Sequence, residues 1–470
     1  MTRNQLVITL LVVLLLGDFI FSFAQYYTTP LSGDFAGAVL PNEHVQRILD
    51  DPFGINMMRT GEKHLNPNRF FSHVFFSEYF QHVPHLLQKI VNPVSSVYLA
   101  SAIIKIIIQI LFIFILAGFI SGSFTFNKTF VLIALLVTPL FQVYGFWSRM
   151  GINDKSVVYS FFYALPLVFL MLFFLPVFKQ LQSNKKIKTY YYLLLSPLVV
   201  ILPLSGPLIP AVILLITFII FSWHFFYFPG GKLSKFFKTI PASVFILLIP
   251  ACIISLYSLF LGFYDSNYAM ETIPLTQRYK MLPEGIYSQL FHSLGFPLML
   301  LFIGINTWYI NKTNSPEGKK LIHILIWIGV FASLYVVLLP FGGYRPYRPR
   351  IIRYDTFMPV TTALIYYFGA STYFLLHHLK RNNKRNYVAA IIVCLLVFTF
   401  ADMKGIGRNR CERQALEKMA QSEEKIIAIP KDCLVLDWHN VHDYRQSEVK
   451  AELIHYWGIT DKKILFYNEP

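Results

Sequence analysis

The sequence predicts an all-α polytopic membrane protein with about 11 transmembrane helices and a small α/β domain at its C-terminal end. Hydrophobic residues make up 55% of the 470-residue chain and charged residues only 14%, and the mean hydropathy is +0.52. Apolar stretches of about 20 residues, the length that crosses a bilayer as a helix, recur along the chain. The predicted spans are 4–24, 95–121, 129–147, 157–178, 190–205, 207–226, 241–262, 293–311, 321–340, 357–378 and 386–402.

The charges in the short loops predict how these helices are oriented. Every second short loop is rich in lysine and arginine, as the cytoplasmic loops of membrane proteins are. The basic residues of these loops are Lys179, Lys185, Lys186 and Lys188, then Lys232, Lys235 and Lys238, then Lys312, Lys319 and Lys320, and finally Lys380, Arg381, Lys384 and Arg385. The N-terminus, with Arg3, is then cytoplasmic as well, and an odd number of spans places the tail outside. One re-entrant element over 190–226 would break this alternation, so we expect two spans there.

The formal net charge of +16 follows from the same loops. Much of the excess is expected on the cytoplasmic side, where it sets the topology and meets anionic lipid headgroups. No nucleic-acid-binding motif accompanies it. Membrane lipids, and not nucleic acid, are therefore the expected partners of this charge.

The chain divides into a transmembrane domain, 1–402, and a small extracytoplasmic domain, 403–470. The first outer loop, 25–94, is the longest loop between spans, and its segment 69–90 predicts an amphipathic helix in the membrane interface or, alternatively, a helix packed on the bundle. An alternative for the first span is a cleaved signal peptide, but its length and Asp18 favour a retained helix. In the tail we expect a helix within 404–425, a strand at 433–436, a helix at 447–456 and a strand at 464–467.

Asp34 is the leading candidate for a catalytic residue. It lies in the run Ser32-Gly33-Asp34-Phe35-Ala36-Gly37, about ten residues past the first span and therefore just outside the membrane. A carboxylate there can take a proton from an acceptor hydroxyl as that hydroxyl attacks the anomeric carbon of a sugar. The flanking glycines would let a ligand approach the backbone closely. The alternative is a solvated turn, since Gly-Asp is ordinary turn chemistry.

A cluster of arginines is expected on the outer face, against the positive-inside tendency. Its members are Arg345, Arg348, Arg350 and Arg353, and the prolines between them stiffen the loop. Several guanidinium groups on a stiff loop suit a phosphate or a pyrophosphate. The alternative partner is the headgroup layer of the outer leaflet. We favour a ligand phosphate, because short loops with this much positive charge are normally cytoplasmic, and binding of an anionic ligand would explain one on the outer face.

A second charged set, Arg149, Asp154 and Lys155, lies in the second outer loop. Asp154 and Asp34 would share a substrate or a divalent cation if the two loops met. No acid-x-acid pair supports a metal, so we assign no metal ligand and leave a divalent cation open as a cofactor. The alternative for this set is a helix start capped by Asn153 or Asp154.

Four residues are predicted to have structural roles. Asp18 and Lys105 lie within spans, where charges are costly and tend to pair, so we expect an ion pair between the first two helices, with a proton relay as the alternative. Cys411 and Cys433 both lie in the outer tail. An oxidising compartment would allow a disulfide between them, but sequence alone does not give the distance that decides it.

The chain resembles the GT-C glycosyltransferases in its many helices, its long first outer loop with an early acid and its soluble C-terminal piece. Members of that fold use polyprenyl- or dolichyl-phosphate sugars as donors. The resemblance implies an essential acid at Asp34, a second outer-loop acid at Asp154, and a donor phosphate bound by Arg345 to Arg353 with Arg278 and Lys280 as helpers. The Gly33-Asp34-Phe35-Ala36 loop is also similar to that of uncharacterised bacterial inner-membrane proteins. The implied location is the bacterial inner membrane, with the C-terminus periplasmic.

The expected function is thus an inverting transfer of a sugar from a polyprenyl-phosphate donor to a glycan, lipid or protein acceptor on the extracytoplasmic face. One alternative is a polysaccharide polymerase or ligase that uses lipid pyrophosphate-linked glycans. Another is a transporter or flippase for a lipid-linked substrate. Its best support is the series of prolines in the predicted spans, Pro197, Pro203, Pro207 and Pro210.

Overall fold

The structure is a computed structural model that describes residues 2–183, 189–227, 240–266, 273–344 and 350–470. Within these residues, seven helices are long and apolar enough to cross a membrane. The count rises to eight if Leu275–Phe291 and Gly295–Thr313, which meet at a bend of 80°, form one broken span. A helical, multi-pass membrane protein is therefore confirmed.

Three other predicted spans coincide with helices of lower length or apolarity. Lys128–Leu140 and Tyr191–Ile201 are apolar but short. Tyr354–His378 is long but less apolar than the seven helices. Most of its residues are buried against the rest of the protein. A helix buried among its neighbours can cross the membrane without an apolar surface that faces lipid. These three helices are therefore compatible with spans, and the total of about 11 stays a prediction.

The helices and strands have the following bounds, in chain order. The helices are α1 (Arg3–Tyr27), α2 (Phe35–Val39), α3 (Glu43–Asp50), α4 (Ile55–Thr60), α5 (Phe70–Leu87), α6 (Pro93–Ser121), α7 (Lys128–Val137), α8 (Trp147–Met150), α9 (Val157–Tyr159), α10 (Leu165–Ser183), α11 (Thr189–Ile201), α12 (Leu208–Tyr227), α13 (Ala242–Leu261), α14 (Leu275–Phe291), α15 (Gly295–Thr313), α16 (Pro316–Leu338), α17 (Tyr354–His378), α18 (Arg381–Asp402), α19 (Arg410–Ala420) and α20 (Glu448–Tyr456). A π-helical stretch, Ser160–Ala164, joins α9 to α10. The strands β1 (Ile426–Ile429) and β2 (Leu465–Asn468) pair in parallel.

Local sequence explains where the second long helix begins and ends. The Asn92 side chain accepts a hydrogen bond from the backbone N–H of Ser95, and Pro93 occupies the first turn, where its missing N–H costs nothing. The helix stops at Gly122, whose φ of 71° is in the left-handed region that glycine adopts without strain. The start of α6 is thereby fixed beside the first outer loop.

Contacts bring the loops that were predicted to be external onto one face of the bundle. The Ser156 hydroxyl donates to Ser32 at 2.7 Å, which joins the second loop to the first. The N–H of Gly206 donates to the carbonyl of Asn68 at 2.8 Å, so the turn between α11 and α12 reaches the first loop too. The choice of two spans over one re-entrant element for 190–226 stays a prediction, since Tyr191–Ile201 is short. Part of the basic loops, 184–188 and 228–239, lies outside the described residues.

The first outer loop packs on protein along α5. Phe76 and Phe80 are fully buried and contact the rings of Phe35 and Phe161. The ring of Phe35 in turn packs against Trp457 of the tail, with ring centroids 5.4 Å apart. Of the two alternatives for 69–90, the packed helix is therefore the one that the contacts support.

The tail docks on the C-terminal end of α1, on α5 and on the N-terminal end of α6. The fully buried Trp457 donates its indole N–H to the carbonyl of Phe80 at 3.0 Å. The Arg413 guanidinium donates to the hydroxyls of Tyr27 at 2.8 Å and Ser95 at 3.3 Å. A disulfide joins Cys411 to Cys433, with a Cα–Cα distance of 5.7 Å.

One predicted strand of the tail is wrong. Residues 433–436 form no strand, and the first strand is instead β1, seven positions earlier. The cause lies in the partners of this segment: Cys433 is in the disulfide, and the N–H of Leu436 donates to the carboxylate of Glu412 at 3.2 Å. A backbone donor already bound to a side chain is not available to a strand ladder. The second predicted strand and the helix at 447–456 are confirmed as β2 and α20.

Candidate functional site

Asp34 lies on a short turn between α1 and α2. The residues after it, Phe35 and Ala36, are buried and fix the turn to the bundle, whereas Asp34 itself is exposed. The N–H of Phe35 donates to the carbonyl of Ser32 at 3.0 Å, so the turn is closed by its own backbone. The carboxylate is thus held on a rigid support and still faces solvent, as a residue that meets a substrate must.

Each oxygen of the Asp34 carboxylate accepts one hydrogen bond from an aromatic side chain. The Tyr159 hydroxyl donates to Oδ2 at 2.8 Å, and the Trp438 indole N–H donates to Oδ1 at 3.2 Å. A carboxylate has lone pairs for about four hydrogen bonds, so both oxygens keep capacity for another donor. The two aromatic donors orient the group without covering it.

Gly33 allows this close approach. A Cβ built on Gly33 would lie 2.6 Å from the backbone nitrogen of Trp438 and 2.8 Å from its ring. No side chain fits at that distance unless the tail moves. The tail and the first loop therefore meet next to Asp34 only because residue 33 is glycine.

Arg353 reaches the same tyrosine. Its guanidinium carbon lies 5.8 Å from the ring centroid of Tyr159 and 5.6 Å from that of Tyr354. The guanidinium also forms an ion pair with the fully buried Asp355. Tyr159 thus links the predicted catalytic acid to the last arginine of the predicted phosphate loop.

The other arginine predictions have different outcomes. Arg345 and Arg348 lie outside the described residues. Arg350 donates to Glu284 at 2.8 Å and to the hydroxyl of Ser288 at 3.2 Å. Burial and the like charge of the Arg350 guanidinium lower the pKa of Arg149. Such a pair gains from a shared anion.

The two predicted helpers differ from each other. Arg278 donates to the backbone carbonyls of Ile273 at 2.9 Å and Pro340 at 3.1 Å, which ties α14 to the end of α16. This is a structural use of the guanidinium. Lys280 is exposed on the same helix.

Asp154 is buried, unlike Asp34. Its carboxylate accepts hydrogen bonds from the N–H of Ser156 at 2.8 Å and from the hydroxyl of Tyr354. Burial raises the pKa of Asp154, and the nearby Lys105 ammonium opposes part of that rise. Lys155 stacks its ammonium on the ring of Trp147 at 4.2 Å. These bonds hold the second loop in shape, but the helix-capping alternative is wrong, because the N-cap of α9 is Ser156 and no side chain caps that helix.

The predicted ion pair between Asp18 and Lys105 is wrong. Among the described residues, no ion pair joins the two side chains. Lys105 is fully buried, donates to the carbonyl of Lys155 at 2.8 Å and lies 4.9 Å from the ring centroid of Tyr26. The carboxylate whose charge acts on Lys105 is Asp154, because the hydrogen bond to Lys155 brings this part of α6 against the second loop.

Sequence reasoning missed four residues, of which Tyr159 and Trp438 contact Asp34 directly. Tyr159 and Trp438 carry no signal as single aromatics. Asp402 accepts three backbone N–H groups, from Val143, Tyr144 and Gly145, at 2.7 to 2.9 Å, and an acid at the end of the last span was a visible clue. Arg69 is the fourth.

Arg69 is a buried cation close to the tyrosines. Its guanidinium packs on Phe162 at 5.3 Å and contacts the hydroxyl of Tyr163 at 3.4 Å, and no carboxylate among the described residues forms an ion pair with it. The ring centroid of Tyr163 lies 6.0 Å from that of Tyr159. Burial and Arg69 lower the pKa of the adjacent His73 to about 3, so this histidine is neutral and adds no charge.

No protein-family model matches the chain, and no curated protein sequence matches it significantly. Within the described ranges, no group of three or more His, Cys, Asp or Glu side chains could hold a metal ion. The groups that the structure brings together at the site are one exposed carboxylate, two aromatic donors and the Arg353 guanidinium.

Proposed function

We propose that the chain is a membrane glycosyltransferase that moves a sugar from a polyprenyl-phosphate donor to a glycan, lipid or protein acceptor. The observation that carries this proposal is the exposed Asp34 carboxylate, oriented by Tyr159 and Trp438, with Arg353 on the same tyrosine ring. An acid that faces solvent beside a cation suits a base next to a departing phosphate. The resemblance of the architecture to the GT-C fold points in the same direction.

The proposed step balances as a single displacement. The acceptor oxygen forms a bond to the anomeric carbon, and its proton passes to Asp34. The bond from that carbon to the phosphate oxygen breaks, and its electron pair leaves with the lipid phosphate. Attack opposite the leaving group inverts the anomeric centre. A phosphate is already anionic, so no strong general acid is required.

Arginines supply the opposing charge in this proposal. Arg353 lies nearest to Asp34 through Tyr159, and Arg69 lies close to the next ring, Tyr163. Guanidinium groups bind phosphate oxygens through paired N–H donors. Arg149 and Arg350 are further cations of this region, although Arg350 already forms an ion pair with Glu284; they suit a substrate that carries more than one anionic group.

Arg149 and Arg350 are the observation that supports the polymerase or ligase alternative. A lipid pyrophosphate has two phosphates, and arginines in two places, Arg353 in one and Arg149 with Arg350 in the other, would match them. The transporter alternative has its own support in the buried polar network around Lys105, in which Asn153 donates to the carbonyl of Lys105 at 2.7 Å and to Tyr26 at 3.2 Å. Polar groups within spans often mark transport pathways.

Mass spectrometry of lipid-linked sugars and surface glycans tests the proposal. Cells that carry only the wild-type chain, Asp34→Asn or Asp50→Asn are compared at matched expression. Asp50 is an exposed acid of the same loop and serves as the control. Accumulation of a lipid-phosphate sugar and loss of one glycan residue in Asp34→Asn alone would support transfer. Build-up of a lipid-pyrophosphate glycan would favour the ligase, and unchanged pools would reject both.

A further inference from the structure

Trp438 is an exposed aromatic residue held in one place beside the candidate catalytic acid. The residue as a whole is 46% exposed to solvent. The indole N–H binds Asp34, and the backbone N–H donates to Asp437 at 2.7 Å. Asp437 is fixed in turn by an ion pair with Lys450. The polar edge of the indole is thus satisfied, and much of its apolar surface faces solvent.

Docking of the tail does not need this exposed ring. Trp457 is fully buried and binds the carbonyl of Phe80, and Glu412 accepts the N–H of Leu31 and the hydroxyl of Tyr98, both at 2.9 Å. These contacts join the tail to the first loop and to α6. Because Trp438 is exposed, it buries little apolar surface when the tail docks, so docking alone does not explain why its ring is held in a fixed position.

Trp438 is paired with Tyr159. The two rings are parallel to within 15°, and their centroids lie 6.4 Å apart. Both rings also donate hydrogen bonds to the same carboxylate. The site therefore presents aromatic surface directly beside a hydrogen-bond acceptor. A pyranose matches that combination, because its axial C–H groups form an apolar face and its hydroxyls donate hydrogen bonds at the edge.

We propose that Trp438 is the platform on which a pyranose ring stacks in this site. The inference rests on the proposed transferase function and adds to it a sugar-binding residue that comes from the C-terminal tail. Donor and acceptor sugars share the chemistry that Trp438 would recognise. The tail then completes the site, in addition to packing on the bundle.

The experiment measures sugar binding without turnover. Full-length protein in lipid nanodiscs is titrated with methyl α- and β-pyranosides of common hexoses and pentoses, and binding is followed by ligand-observed saturation-transfer NMR. Wild type is compared with Trp438→Ala, Trp438→Phe and the control Trp308→Ala, whose tryptophan is 53% exposed on α15. Thermal melting checks that each variant is folded.

We expect at least one pyranoside to bind wild type and Trp308→Ala, with about tenfold weaker binding to Trp438→Ala. Trp438→Phe should keep part of the affinity, because it keeps an aromatic face. Equal binding by wild type and Trp438→Ala, or no binding of any pyranoside, would overturn the proposal. The sugar's source follows from transfer assays, in which Trp438→Ala raises KM for the donor or for the acceptor. Pyranoside binding that depends on Trp438, with no transfer from any lipid-phosphate sugar, would reject the enzyme and retain the platform.

Discussion

Asp34 and Asp154 are both acids of loops predicted to face outward, yet the structure gives them opposite surroundings. Asp34 is exposed and bound by two aromatic donors that leave its oxygens accessible. Asp154 is buried, close to Lys105, and bound by Ser156 and Tyr354. The comparison teaches that an acid in the right loop is not enough for catalysis. Access and free lone pairs decide which one can take a proton from a substrate.

The largest expected effect is on Asp34. Asp34→Asn keeps the size of the side chain and an oxygen that accepts hydrogen bonds, but it removes the base. We expect the rate of sugar transfer to fall by about 10²- to 10⁴-fold and the free energy of unfolding to change by less than about 0.5 kcal/mol, because the residue is exposed. Initial rates and denaturant unfolding of purified protein check both. A loss of activity that matches a loss of folded protein would mean that Asp34 is structural.

Asp154 should behave in the opposite way. Asp154→Ala removes the acceptor for Tyr354 and Ser156 and leaves Lys105 buried without its nearest opposite charge, so we expect a loss of about 3 kcal/mol in the free energy of unfolding. Asp154→Asn is the matched control. Because burial raises the pKa of Asp154, a neutral amide should substitute for it at much smaller cost. Equal stability of Asp154→Ala and wild type would remove the contrast between the two acids.

Gly33 tests whether the position of Asp34 depends on the tail. A methyl group at residue 33 collides with the backbone of Trp438, so Gly33→Ala should move the tail away from Asp34 and lower the transfer rate by about 10- to 100-fold. Gly304→Ala is the control, because nothing lies within 4 Å of a Cβ at that glycine. Rates for both variants at saturating donor give the comparison. An active Gly33→Ala variant would show that Trp438 does not orient the acid.

Glu412 gives an effect on stability that depends on pH. Burial raises the pKa of this carboxyl from 4.5 to about 7, although hydrogen bonds from Leu31, Leu436 and Tyr98 and the charge of Arg413 oppose the rise. The folded protein therefore holds this proton more tightly than the unfolded chain does. The free energy of unfolding should fall between about pH 4.5 and pH 7, by at most about 1.4 kcal/mol per pH unit, and stay level above that.

Glu412→Gln keeps an acceptor but cannot titrate, so this fall should disappear. Thermal melting between pH 4.5 and pH 8 measures it, and Glu417→Gln, at an exposed position of α19, is the control. The same slope in wild type and in Glu412→Gln would contradict the assignment.

Sequence patterns predicted the apolar helices, because hydropathy reports on the membrane directly. They also placed Asp34 and Arg353 in loops on one side, and the two residues do meet at Tyr159. They failed where the answer depends on contacts between distant residues. Lys105 meets Asp154, not Asp18, and the strand expected at 433–436 is displaced by the disulfide and by Glu412. Trp438 and Asp34 are 404 positions apart in the chain, and the periodicity of a sequence does not predict a contact between residues so far apart.

The most direct test of the central claim is the lipid product of a defined reaction. Purified wild type and Asp34→Asn are reconstituted in liposomes with a polyprenyl-phosphate hexose, polyprenyl-phosphate pentose and an acceptor glycan extract, and the lipids are analysed by mass spectrometry. Release of polyprenyl monophosphate together with a glycan one sugar longer, in wild type and not in Asp34→Asn, is the predicted result. Intact donor in both samples, or equal release in both, would contradict Asp34 as the base of a lipid-phosphate glycosyltransferase.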